Sequence, residues 1–266
     1  MRPTLFSSFF ALASLAIASM SHAHEFWIEP LAYQVPAGGA VTADIKVGED
    51  FKGSGQSYLK RRTSQFDVRI NGQVLPITSR IGDRPAFDQA IPGEGLAVIV
   101  HETSNMDLIY PNLAKFQKFV DHKDFTGAID AHKSRGLPEE GFKETYRRYA
   151  KSLVAVGSGA GADARVGLRT EFVALANPYT DRLTALPVQV FYEGTPRANT
   201  QVEVFEKSSQ GRVGIFTLKT DANGRANIPV KPGHSYMLDA VKLIPGETPG
   251  AAWHTLWANL TFEIPA

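Results

Sequence analysis

The sequence predicts a mainly β fold: two β-sandwich-like, immunoglobulin-like domains with a helical insertion between them. Three observations lead there. Short runs that alternate apolar and polar residues occupy both ends of the chain, the period of a half-buried strand. Turn-forming residues separate them, with 23 Gly and 16 Pro in 266 residues, which suits many short strands better than a helix bundle. Helical periodicity is confined to the middle, from about 112 to 156.

Residues 1–23 have the pattern of a cleavable secretory signal. Arg2 supplies the positive start, residues 5–18 are apolar, and Ser21 and Ala23 are the small residues that precede a cut. The apolar run is shorter than the roughly 20 residues of a membrane-spanning helix, and none of its kind recurs. The expectation is a soluble periplasmic protein with no membrane span in the mature chain.

The mature chain then reads as follows. Residues 24–35 enter the first strands, 41–47 alternate cleanly, and 48–55 form a flexible loop. Residues 66–70 and 73–77 flank Asn71 and Gly72, a strong hairpin signal because both turn positions need positive φ. Residues 96–100 are continuously apolar and predict a buried strand ending at His101. From 113 the pattern turns helical: Phe116, Phe119 and Val120 share a face. After Gly136 and Pro138, residues 139–154 resume it, with Tyr146, Tyr149, Ala150 and Leu153 in phase and Glu144 four residues before Arg148. From 171 onward evenly spaced short strands predict an immunoglobulin-like sandwich over 171–266, the N-terminal β domain occupying 24–170.

Net charge is +1, with 28 Lys+Arg against 27 Asp+Glu. That balance provides no electrostatic footprint for nucleic acid. With no cysteine in the chain, there is no disulfide framework, and any metal site relies on His, carboxylate, Met or backbone donors.

Several segments resemble a domain-of-unknown-function family of bacterial periplasmic proteins associated with nickel and cobalt uptake (NikM-like). They are HEFWIEP at 24–30, VGEDFKG at 47–53, ETYRRYAKSLV at 144–154, NPY at 177–179, TDANGRA at 220–226 and LWANLTF at 256–262. The resemblance covers nearly the whole mature chain. It implies a periplasmic component that works with a metal-uptake transporter in the inner membrane, and it carries no catalytic signature. Residues 186–226 also resemble a Cna-B or carboxypeptidase-regulatory β-sandwich, a structural or binding module by analogy of fold alone.

Cleavage after Ala23 makes His24 the first residue and frees its amine. Amine and imidazole together suit Cu²⁺ or Ni²⁺ best, and an amine of pKa about 7.7–8 loses its proton at little cost near neutrality. No HxH or HxxxH pair follows, so further ligands have to come from distant strands. His101 and His254 sit at strand ends and complete a three-imidazole-plus-amine site if they converge on His24; Glu25 and Glu102 are the nearby acids. Taken singly, each of those two histidines reads more readily as a structural residue. His122 and His132 lie in charged sequence and read as a solvated helix face. Phe26, Trp27, Trp253 and Trp257 fit core packing better than a sugar-stacking platform.

Three functions remain open on this reading. They are a transition-metal (nickel, cobalt or copper) binding or uptake-accessory protein, a structural or interaction module of the envelope without a metal site, and a copper-dependent oxidative enzyme that uses an N-terminal histidine. They stand in the order metal binding, interaction module, enzyme, and the expectation is that the protein is not an enzyme.

Overall fold

The computed structural model describes residues 24–266; the expected signal segment, residues 1–23, lies outside the described residues. The strands of the first half are β1 (Glu25–Pro30), β2 (Gln34–Val35), β3 (Ala40–Glu49), β4 (Lys52–Gln56), β5 (Thr63–Ile70), β6 (Gln73–Pro76), β7 (Phe87–Ala90), β8 (Gly95–Thr103) and β9 (Met106–Tyr110). Helices α1 (Leu113–His122) and α2 (Ala128–Ser134) follow, then the long β10 (Phe142–Val156). The remainder is β11 (Thr170–Ala174), β12 (Ala185–Tyr192), β13 (Thr195–Pro196), β14 (Gln201–Lys207), β15 (Val213–Lys219), β16 (Arg225–Pro229), β17 (Ser235–Pro245) and β18 (Ala251–Glu263). The mainly β expectation holds.

These strands make one large sheet with a small sheet on each face. The large sheet has ten strands in the order β15-β14-β17-β18-β10-β8-β5-β6, with β2 and β9 also paired to β10. One small sheet holds β1, β3, β4 and β7; the other holds β11, β12, β13 and β16. Side-chain alternation assigns the faces. Ala97, Ile99, Ala150, Val154 and Val156 pack with Phe26, Ile28, Val41 and Ile45 of the first small sheet. Leu96, Val98, Val100, Tyr149, Leu153, Leu256, Ala258 and Leu260 pack with Phe172, Val188, Val190 and Ile228 of the other. The two sandwiches thus share their middle layer. The sequence division at 170/171 falls between β10 and β11, yet β18 of the second half runs parallel to β10 of the first over Lys143–Ser152.

The helical expectation over 112–156 is corrected in its second half. α1 is capped by the Asn112 side chain, which accepts from the Lys115 N–H at 2.9 Å, and it seats Phe116 and Val120 beside Trp253 and Phe142. α2 is short, and after it the chain is strand. Residues 142–156 have nearly all positions buried, because a small sheet covers each face. A strand apolar on both sides loses its alternation, so Tyr146, Tyr149, Ala150 and Leu153 fell on helical spacing by coincidence. Glu144 and Arg148 form no ion pair across a helical turn; Glu144 instead accepts a hydrogen bond from Thr255 on β18. Burial of β10 also takes in Lys151, whose ammonium reaches Asp163 at 2.7 Å and the carbonyls of Ala164 and Phe172. A buried ammonium is tolerated when all its donors are used in this way.

The β5–β6 hairpin is as expected: Asn71 and Gly72 have φ of 51° and 76°, the pair of positive values of a type I′ turn.

Candidate functional site

A cleft of about 670 Å³ opens where the first small sheet leaves the middle sheet uncovered at one end. β1 contributes Phe26, with His24 just ahead of it; β3 contributes Ile45 and Val47. β8 supplies His101 and Thr103, β9 Met106 and β10 Tyr146 and Arg148, while Arg62 and Thr63 close the rim.

His24 stands at the mouth. Its side chain is about half exposed, and its Nε2 lies 3.7 Å from a Glu49 oxygen. Its carbonyl accepts a hydrogen bond from Arg148 Nη2 at 2.8 Å, which ties the first described residue to the middle sheet. His101 lies on the floor, 2% exposed. Its ring sits 5.3 Å from Phe26 and 4.9 Å from Phe66. Nε2 is 3.3 Å from the Thr63 hydroxyl, and Nδ1 is buried with no partner. Burial pushes its pKa down to about 3, so the ring stays neutral at physiological pH, with one protonated and one free ring nitrogen. Arg148 completes the floor. Its guanidinium lies 4.7 Å over Tyr146 and 5.7 Å over Phe26, and its backbone N–H donates to Thr103 Oγ1 at 3.0 Å.

The four expected metal residues do not assemble. His24 and His101 share the cleft, whereas His254 and Glu25 lie elsewhere. The reason is strand parity. His101 points with Ala97 and Ile99 toward the first small sheet, while His254 points with Leu256, Ala258 and Leu260 toward the opposite side. There His254 Nδ1 meets Glu247 at 3.0 Å, and Glu247 is clamped by both terminal nitrogens of Arg169 at 2.5 and 2.7 Å. Burial pushes the His254 pKa down despite Glu247.

Glu25 leaves β1 on the side away from Phe26. It sits in a buried charge cluster with Lys123, Glu203 and Asp239, where burial and then the Asp239 charge raise its pKa to about 7. Lys123 bonds to Glu203 and lies 3.3 Å from Asp239. Glu102 is likewise out of the cleft and pairs with Arg147 at 2.9 Å. Among the described residues, no three His, Asp or Glu side chains are placed to hold an ion. The donors that remain suit an N-terminal site: the His24 ring, its amine once freed, and the His101 ring. The unpartnered Nδ1 of His101 is the feature that fits such a group.

The other histidines are structural. His132 is fully buried rather than solvated, with Nε2 2.9 Å from the Pro138 carbonyl and Nδ1 accepting from the Trp253 indole. His122 lies 2.5 Å from Glu203. Phe26, Trp27, Trp253 and Trp257 are all buried and belong to the core. Arg148 and Tyr146 escaped sequence reasoning, because a helical reading of 139–154 hid the inward face of β10, while Arg62, in a basic run that reads as a solvated loop, lies exposed at the rim of the cleft. Strand parity across Tyr146 and Arg148 is the signal that would have found them.

Fold and cleft together define a three-layer β protein with a histidine- and arginine-lined cleft. The chain belongs to the family described as domain of unknown function (DUF4198), whose profile matches residues 21–242. No curated protein matches the sequence. Among solved structures, the tetra-tandem repeat in the extending region of a large adhesion protein is 11% identical. The match covers 91% of this chain and 50% of that one, with a TM-score of 0.22; this chain therefore spans about half the length of that structure. The D0-D1 domain of intimin is 12% identical over 89% of this chain and 97% of its own, with a TM-score of 0.20. Among the described residues no helix is long and apolar enough to cross a membrane.

Proposed function

We propose that this protein binds a transition-metal ion, copper, nickel or cobalt, at the mouth of the cleft, and does so in the periplasm as an accessory to an inner-membrane uptake system. His24 would supply its ring and its freed amine, and His101 a third nitrogen from below. One observation carries this reading: of six mature-chain histidines, His24 and His101 line one cleft, and His101 keeps a buried, unpartnered Nδ1 on a neutral ring. Neutral nitrogen donors match the borderline ions of the first transition row. His254 and Glu25 have no part in the site.

The test is calorimetric titration of Cu²⁺ and Ni²⁺ into a chain that starts at His24 and into one carrying an extra residue ahead of it. Every described strand and helix lies within 24–266, so both chains contain all of them. The reading expects affinity to drop at least tenfold, about 1.4 kcal/mol, when the amine is displaced, and again in His101→Gln. Equal affinity in all three proteins removes it.

A further inference from the structure

The lining of the cleft carries information about the form in which the ion arrives. Its volume, about 670 Å³, far exceeds what a hydrated ion needs: six waters at about 30 Å³ each occupy on the order of 200 Å³. It falls in the range of small-molecule sites, roughly 300–1,000 Å³. The charge is also of the wrong sign for a bare cation. Arg62 and Arg148 both line the cleft, and among the described residues no Asp or Glu does so; Glu49 stands outside the lining, 3.7 Å from His24 Nε2 at the mouth.

Arg148 makes the case sharper. It is 8% exposed, its Nε is buried without a partner, and the carboxylates of Asp239, Glu25 and Glu144 favour its charge through space by less than burial opposes it. A guanidinium taken out of water without a carboxylate in contact is expensive. This one is also held in place, stacked over Tyr146 and tethered to the His24 carbonyl. A guanidinium held at the floor of a cleft with no carboxylate in ion-pair contact among the described residues is a recognition element for a carboxylate.

We infer that the ligand of the cleft is a metal chelate bearing carboxylates: a small anionic chelator whose carboxylates meet Arg148 and Arg62 while its metal meets His24 and His101. This rests on the metal-binding reading above and adds the chemical class of the cargo. It also accounts for the Arg148–His24 tether, which couples the anion-binding fork to the residue that would hold the metal.

The experiment titrates the chain that starts at His24 with three probes: Ni²⁺ alone, citrate alone, and the 1:1 Ni²⁺–citrate complex. The proteins are the unsubstituted chain, Arg62→Gln and Arg148→Lys. Citrate competing for nickel would weaken apparent binding, so tighter binding of the complex cannot arise from competition. The expected result is Ni²⁺–citrate at least tenfold tighter than either Ni²⁺ or citrate alone. That advantage falls at least threefold in Arg62→Gln, an exposed rim position where folding is not at stake, and is abolished in Arg148→Lys if that variant folds. The inference is overturned if the complex binds no better than Ni²⁺ alone, or if Arg62→Gln leaves the advantage intact. His24-dependent Ni²⁺ binding without such an advantage overturns the chelate while sparing the metal site. Citrate alone binding as tightly as the complex overturns the chelate, and Ni²⁺ affinity unchanged by a residue added before His24 overturns the metal site.

Discussion

Buried ionisable side chains are where single residues of this protein have measurable consequences. Lys151 and Asp163 are both fully buried and paired, and Asp163 also accepts from the Ala174 N–H at 2.9 Å. Lys151→Met leaves that carboxylate unpaired, and the cost of breaking a buried pair is about 3–5 kcal/mol. Urea unfolding should show that loss, with part of it recovered on adding Asp163→Asn. Glu25 behaves differently, because its carboxyl is lifted from 4.5 to about 7 by burial and by Asp239. Between these values the folded chain holds a proton that the unfolded chain has released, so Glu25 lowers stability as pH rises from about 4.5 to 7. Glu144, raised to about 7 by burial, and Asp239, raised to about 6, act in the same direction. Glu25→Gln is therefore expected to be about 1–3 kcal/mol more stable than the unsubstituted protein at pH 8. At pH 4 the two should be similar. Chemical denaturation at the two pH values checks this, and a gain at pH 4 alone contradicts it.

Turns and the strands of the two small sheets were legible element by element, and the long strand β10 of the large sheet was not. β3, β12 and β16 each bury alternate residues, so period two appears directly in their sequences. The Asn71–Gly72 turn was equally plain. A Cβ at Gly72 would meet nothing within 4 Å, so Gly72→Val probes the positive φ alone. It should cost about 1–2 kcal/mol in thermal or urea unfolding; no change would mean that the turn adapts to another geometry. β10 was illegible because one-dimensional pattern records only the contrast between faces, and here both faces are covered. The candidate site suffered from the same blindness. His24 and His101 were identified by chemistry, but pairing them with His254 required knowing on which side of the middle sheet each strand shows its odd and even residues.

At the scale of the molecule, the shared sheet links what sequence separates. β18 lies between β17 and β10, and the core beneath the second small sheet draws Leu96, Val98, Tyr149 and Leu153 from the first half of the chain. Cooperative unfolding in one transition is expected from this arrangement. Residues 171–266 expressed alone should lack a folded core, since β18 loses its β10 neighbour and exposes an unpaired edge. A dispersed amide spectrum from that fragment would show that the second sandwich stands by itself. The cleft lies at the end of the same sheet, with His101 on β8 and His24 directly ahead of β1, its carbonyl tied to Arg148 on β10. Electron paramagnetic resonance of Cu²⁺ bound to the chain that starts at His24 tests this account most directly. Nitrogen couplings from three donors are predicted, reduced to two in His101→Gln. A spectrum indifferent to that substitution, and to a residue added before His24, would contradict it.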